Sequence, residues 1–299
     1  FLWLISCLSV TGNVCSFTIR LCTQKTSVSS FRLFVSNLGL SDLLMGIYLS
    51  IIGVADEVYR GRYVFYDDVW KSSVYCKVAG FLSLLSSEVS AMIIWLISLD
   101  RFIVIHFPFS NVRFERKSAA IACFVTWTVG LLFASLPLLP STSHWEFYSQ
   151  TGICIPLPVT RLKFKGHFYS FTIMIVFNFV LFLVISTCQS FIYWSIKKNT
   201  LTSDSTKMSQ DLTIARRLIT VAVTDFMCWF PIGMCGLLAM AGIPIPGEVN
   251  VAFAIFLLPL NSALNPFVYT FNALAEKRRK SNETKLLKWL ETNASSLQT

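Results

Sequence analysis

Charge is what this sequence has least of. Only 14% of its 299 residues are Asp, Glu, Lys or Arg, against about 25% in an average soluble domain. With 54% hydrophobic residues and a mean hydropathy of +0.62, that shortage excludes an ordinary water-soluble fold. The nine cysteines contain no CxxC pair, so their spacing gives no zinc site. The histidines, His106, His144 and His167, are scattered and no nucleophile elbow accompanies them. We therefore expect a protein that is not an enzyme. No internal repeat is visible, which counts against a transporter built from related halves. An initiator Met is also missing: Phe1 lies inside the first apolar run. We expect a fragment.

What the chain has in abundance is apolar runs of about twenty residues, each long enough to cross a hydrocarbon core of about 30 Å. Seven spans are predicted, at 1–22, 31–54, 74–106, 118–139, 167–196, 212–241 and 249–271. A further stretch, 273–291, is basic and partly apolar but too polar to span. The net charge of +9 invites a nucleic-acid reading. The Lys and Arg residues, however, sit in short connections between apolar runs, which is a topology signal. No nucleic-acid partner is expected. Eighteen of the 25 Lys and Arg fall on one side, among them Arg20, Arg101, Arg113, Arg216, Arg217 and Lys277–Lys280. The other seven are Arg60, Arg62, Lys71, Lys77, Arg161, Lys163 and Lys165. The bias predicts a multi-pass plasma-membrane protein with its N-terminus outside and its C-terminus in the cytoplasm. Cys76 and Cys154 then fall outside, where an oxidised pair is allowed, and a disulfide between them is predicted. The sequons at Asn282 and Asn293 face the cytosol on this topology and read as chance matches. The basic 273–291 segment is expected to lie on anionic membrane lipids. No cysteine follows Cys235, so no palmitoyl anchor is expected there.

Polar groups inside the runs need partners, because hydrocarbon offers none. They are Asn13, Asp42, Glu88, Ser90, Asn178, Asp225, Asn261 and Asn265. Asn261 and Asn265 are four apart and share a helix face, with Pro266 beside them. Carboxylate, hydroxyl and amide oxygens suit a hard cation such as sodium. The same groups also make a structural network that glues helices together. The sixth run is the most unusual. Asp211 and Asp225 lie roughly 21 Å apart along it, with Trp229 one turn further and a proline kink at Pro231. Asp100-Arg101-Phe102 ends the third run, and Arg101 needs an anion, for which Asp100 and Asp211 are the candidates.

Taken in order, Asn13 in GNVC, Asp42 in NLGLSDLL, Cys76, Asp100-Arg101-Phe102, Trp127, Cys154, Cys228-Trp229-Phe230-Pro231 and Asn265-Pro-Phe-Val-Tyr269 resemble the rhodopsin-like G-protein-coupled receptors. The resemblance covers nearly the whole chain. SSEVSAMII, DRFIVIHFPFSNVR, TDFMCWFP and LPLNSALNPFVYT look like the branch with leucine-rich-repeat ectodomains. HFPFSNVR and YRGRY are closest to its relaxin-receptor side, with the glycoprotein-hormone receptors next. The implied fold is an all-α membrane protein: a seven-transmembrane-helix bundle over 1–272, then a short amphipathic eighth helix and tail over 273–299. The implied function is transmission of hormone or peptide binding, through the missing ectodomain, to a heterotrimeric G protein.

The resemblance also implies roles. Asp42, Ser90, Asn261, Ser262 and Asn265 match an allosteric sodium pocket; no cofactor is expected, an allosteric Na+ at Asp42 and Ser90 being the one candidate. Asp211 is expected on Arg101 and Asp225 on Asn265 while the sixth helix is shut. Trp229, Pro231, Pro266 and Tyr269 complete the expected switch. Arg101, Val112, Arg113, Arg216 and Arg217 are expected to meet the G protein. Some positions depart from the wider family: Pro259 stands where opsins carry the retinal lysine, and Ser83 where amine receptors hold an aspartate. The fifth run lacks a proline, and the usual activating tyrosine falls at Gln189, with Tyr193 a substitute only after a register shift. The loop Asp56–Lys71 and the cluster Arg161–Lys165 are expected to face an ectodomain or hormone.

Overall fold

In a computed structural model of the chain the described residues are 2–22, 30–107, 113–155, 165–200, 206–243 and 245–268. They form helices and turns, with no strand among them. The first span is α1 (Leu2–Cys22), the second α2 (Ser30–Tyr59). A short helix, α3 (Tyr63–Ser72), lies between the second span and the third, α4 (Val74–His106). The fourth span is α5 (Arg116–Ser135), continued by a short 3-10 turn at Leu136–Leu138. The fifth is built from α6 (His167–Phe171), a π segment at Thr172–Phe177, and α7 (Asn178–Thr200). The sixth is α8 (Thr206–Met240). The seventh comprises α9 (Gly247–Ala252), a π segment at Phe253–Leu257, and α10 (Leu258–Pro266).

Five of these, the first to fifth spans, are long and apolar enough to cross a membrane. The sixth carries its apolar stretch only over Phe226–Met240, because Arg216, Arg217 and Asp225 interrupt the earlier turns. The seventh is divided by its π segment. Pro259 has no N–H to give back one turn earlier, which loosens the ladder there. The π turn of the fifth span has another cause: Asn178 Nδ2 donates to Ile173 O at 3.2 Å, a side chain taking a carbonyl five residues back.

The third span is the axis. From Ala79 to Ile97 α4 is buried on nearly every face, with Leu84, Val89, Ile93, Ile94 and Ile97 almost fully enclosed. The second span packs most extensively against it, followed by the fifth and fourth. Polar side chains on α4 therefore meet several neighbours at once.

The expected loop at Asp56–Lys71 is largely helix. Gly61 turns the chain after α2 with φ 72°, and α3 then presents Trp70, only 4% exposed, inward. Tyr63, Tyr66 and Trp70 recur at helical spacing, a signal that the mixed charges of this stretch obscured.

Candidate functional site

The buried polar cluster lies midway along the bundle. Asp42, fully enclosed, receives Ser90 Oγ on Oδ1 at 3.3 Å and Asn265 Nδ2 on Oδ2 at 2.8 Å. Its backbone carbonyl accepts from Ser9 Oγ at 3.1 Å. Asn13 Nδ2 donates to Ser9 O at 2.9 Å and to Ser262 O at 3.1 Å. The first, second, third and seventh spans thus converge on Asp42, the third and seventh through its carboxylate and the first through its backbone carbonyl. Close approach makes this geometry reachable: a Cβ on Gly12 would come 3.1 Å from Pro266 Cγ. Asn261 and Ser262 are buried beside it, at 7% and 4% exposure.

Asn265 therefore gives its amide to Asp42. The side chain expected to share it, Asp225, lies outside the described residues, as do those of Asp211, Arg216 and Arg217. Tyr269, Val112 and the 273–299 segment are also outside them. Trp229 is half-buried against the main core, and Pro231 lies within α8.

At one end of the bundle Arg101 turns to its neighbour. Its Nε donates to Asp100 Oδ2 at 2.9 Å, and Nη2 reaches the same oxygen. Asp100 is 2% exposed and its other oxygen accepts from Ser30 Oγ at 3.2 Å. The guanidinium also lies 4.9 Å from the Phe31 ring centroid, a cation–π contact. Arg113 is exposed at this end.

The other end is closed by the chain itself. Cys76 and Cys154 are joined by a disulfide, and the segment before Cys154 is pressed into the bundle. Tyr148, 2% exposed, donates to Ala134 O at 2.8 Å. Tyr48 donates to Ile153 O at 3.0 Å, and Trp70 Nε1 to Gly152 O at 2.7 Å. A Cβ on Gly80 would overlap the Cys154 carbonyl and the Tyr148 ring, so glycine there is a requirement of the fit. Beside it Lys71 pairs with Asp67. Burial pushes the Asp67 carboxyl up, but bonds from Lys71 and Tyr63 outweigh it and leave the group below its ordinary value.

Three pairings were not anticipated. Asn178 Nδ2 donates to Glu88 Oε1 at 2.9 Å, tying the fifth span to the third. Trp127 Nε1 donates to Asn37 Oδ1 at 3.0 Å, tying the fourth to the second. Gln189, 6% exposed, donates to Ser98 Oγ at 3.0 Å, while Tyr193 is 56% exposed. The register shift does not occur, and Gln189 keeps the interior position. Glu88, Asn178 and Gln189 are intramembrane polar residues, which was the available signal; their partners could not be read from spacing.

A bundle of this kind, with apolar spans held together by polar contacts midway and with Arg101 at one mouth, has the architecture of a helical membrane protein. The family described as 7 transmembrane receptor (rhodopsin family) matches residues 12–269, and the chain belongs to that family. It is 35% identical over 285 residues to the G-protein coupled receptor GRL101 of Lymnaea stagnalis, covering 94% of this chain and 25% of that protein. It is 33% identical over 273 residues to relaxin receptor 2 of Canis lupus familiaris, covering 90% of this chain and 37% of the relative. The follicle-stimulating hormone receptor of Felis catus is 29% identical over 270 residues, with 90% and 37% covered. These relatives place the chain in the leucine-rich-repeat branch. It is a multi-pass membrane protein, and it spans well under half the length of these relatives.

Proposed function

We propose that this chain is the signal-transducing part of a hormone receptor in the plasma membrane. Its disulfide end faces outside, where an ectodomain captures a peptide or protein hormone. Its Arg101 end faces the cytoplasm and a heterotrimeric G protein. The observation that carries this reading is the convergence of four spans on Asp42. Such a junction couples the spans, because moving one breaks a bond to another. The relatives named for relaxin and follicle-stimulating hormone support the ligand class.

The arrangement is the resting one: Arg101 is occupied by Asp100 and Phe31. Activation swings the Arg101 end of the sixth helix outward about Pro231 and frees the guanidinium. Val112, Arg113, Arg216 and Arg217 border the surface so opened, with Asp211 on Arg101 and Asp225 near Asn265 opposing the swing. The ligand drives the shift through its higher affinity for the open form. Sodium fits the cluster by ligand type, since Asp42 and Ser90 supply oxygens that would hold it. The ion would add positive charge that neutralises the buried carboxylate, in competition with the amide hydrogens of Asn265.

The test is nucleotide exchange on a purified heterotrimeric G protein by the full-length receptor, with and without hormone. Asp211→Gly and Asp225→Ala are expected to raise basal second-messenger output several-fold, since each contact is worth about 1–2 kcal/mol in a membrane bundle. No stimulated exchange, together with unchanged basal output from both variants at matched surface expression, would overturn the proposal.

A further inference from the structure

The arginine at the mouth of the bundle is held from the second span. Its Nε and Nη2 both go to Asp100 Oδ2, so one edge of the guanidinium is spent on its own helix. Its Cζ lies over the Phe31 ring, 4.9 Å from the centroid. Asp100 is tied to the same element, because its Oδ1 accepts from Ser30 Oγ at 3.2 Å. Ser30 and Phe31 are the first two residues of α2, so the acid and the base of the pair each have a partner on the first turn of that helix. Water has little access: the side chains of Arg101 and Asp100 are 14% and 2% exposed.

This end of α2 is well fixed. Phe34, one turn on, is fully enclosed and meets the Phe114 ring edge to face at 5.5 Å. Further along, Ser86 Oγ donates to Ser41 O at 2.7 Å, and Ser90 Oγ to Asp42. Phe31 precedes Asp42 by eleven residues, roughly 17 Å along the helix. The second and third spans therefore form one packed unit from the Asp42 junction to the Arg101 mouth. None of these contacts involves the sixth helix, the one expected to swing. Opening that helix alone leaves Phe31 in place, and Arg101 must still come off the ring. A guanidinium is weakly hydrated and stacks readily on aromatic faces, and the pull of the ring quadrupole grows where water is excluded.

We propose that Phe31 is a positioning residue of the transducing site: its π face retains the Arg101 guanidinium in the resting bundle and so sets how often the receptor without hormone presents that arginine to the G protein. The electronic character of the ring then matters beyond its size. An aliphatic side chain would fill the space and hold the charge poorly, because apolar carbon offers a cation nothing in exchange for water. The contact itself rests on geometry alone; its regulatory meaning rests on the proposed receptor function.

The experiment replaces Phe31 in the full-length receptor with mono-, di- and trifluorinated phenylalanine by nonsense suppression, which drains the negative face of the ring and nearly keeps its size. Basal nucleotide exchange on a purified heterotrimeric G protein, at matched receptor concentration, is expected to climb stepwise to about two- to fivefold with the trifluorinated ring, the loss of a partly desolvated cation–π contact. Phe31→Leu should reach the same ceiling. In parallel, thermal unfolding in nanodiscs without G protein should show Tm falling with each fluorine, and no such fall in Arg101→Gln. A Tm indifferent to fluorine in both backgrounds overturns the contact and leaves Phe31 a packing residue. A fluorine-dependent Tm with flat basal exchange, in a receptor that hormone still stimulates, overturns the regulatory role. If hormone stimulates no exchange by the unsubstituted receptor, the receptor reading fails and the regulatory role with it, while a fluorine-dependent Tm still upholds the contact.

Discussion

Asn265→Leu is the sharpest probe of the central junction. The substitution keeps a helix-compatible side chain of similar size and removes the amide that reaches Asp42 Oδ2 at 2.8 Å. Asp42 stays fully buried, with one oxygen left on the 3.3 Å contact to Ser90. Removing a partner from a buried acceptor costs up to about 1–3 kcal/mol, whereas hydrogen bonds within membrane bundles reach only about 1.7 kcal/mol. The lower range governs here, because the unfolded reference in a membrane also finds partners. We expect a loss of about 1–2 kcal/mol, or a fall in Tm of roughly 2–8 °C at 2–4 °C per kcal/mol. The assay is thermal unfolding of the purified chain in detergent or nanodiscs, run as a double-mutant cycle with Asp42→Asn. Once Asn265→Leu has removed the donor, replacing the carboxylate costs less, and the two changes should couple by about 1 kcal/mol. Additivity within about 0.3 kcal/mol would refute the contact as an energetic link between the second and seventh spans.

Gly80→Ala should lower surface expression several-fold, because the added methyl meets the Cys154 carbonyl and Tyr148 ring; flow cytometry of the tagged receptor checks this, and normal expression would show that the loop yields cheaply. The Asp67 contacts give a pH dependence of defined sign. The carboxyl lies below its ordinary value in the fold, so its contribution is complete above the unfolded value of about 3.9 and is lost as pH falls through the lower folded value. The difference in Tm between the protein and Asp67→Asn should accordingly be steady from about pH 8 to pH 5 and shrink below about pH 4. A break near neutral pH would point to a different group.

How much of this was legible in the sequence depended on whether hydrophobicity or partner choice was the question. Span positions follow from burial in lipid, and over the described residues the seven runs match the helices closely, with the largest differences at the end of α2 (Tyr59 against 54) and the start of α8 (Thr206 against 212). The exception, α3, is amphipathic and rich in charge, so it gave no membrane signal; its order comes from Trp70 and Gly152, a contact across 82 positions. The polar residues were visible one by one, because an unpaired polar group in hydrocarbon is expensive wherever it stands. Their pairing was not. Asp42, Glu88 and Asp100 differ little as sequence features, yet one joins helices through Asn265, one fastens the fifth span through Asn178, and one holds the adjacent Arg101.

The fifth span shows why the difference matters. Its sequence departs from the family pattern by lacking a proline and by placing glutamine where a tyrosine is usual. The structure replaces the proline's effect with Asn178, which opens a π turn by taking the Ile173 carbonyl while bonding to Glu88. Irregularity in the helix is kept and its cause is exchanged. The glutamine is a different matter. A tyrosine hydroxyl both donates and accepts through one atom, whereas Gln189 divides those tasks between Nε2, engaged on Ser98, and Oε1, buried without a donor among the described residues. The departure from the family pattern is therefore what ties the fifth span to the third at this level, through Ser98.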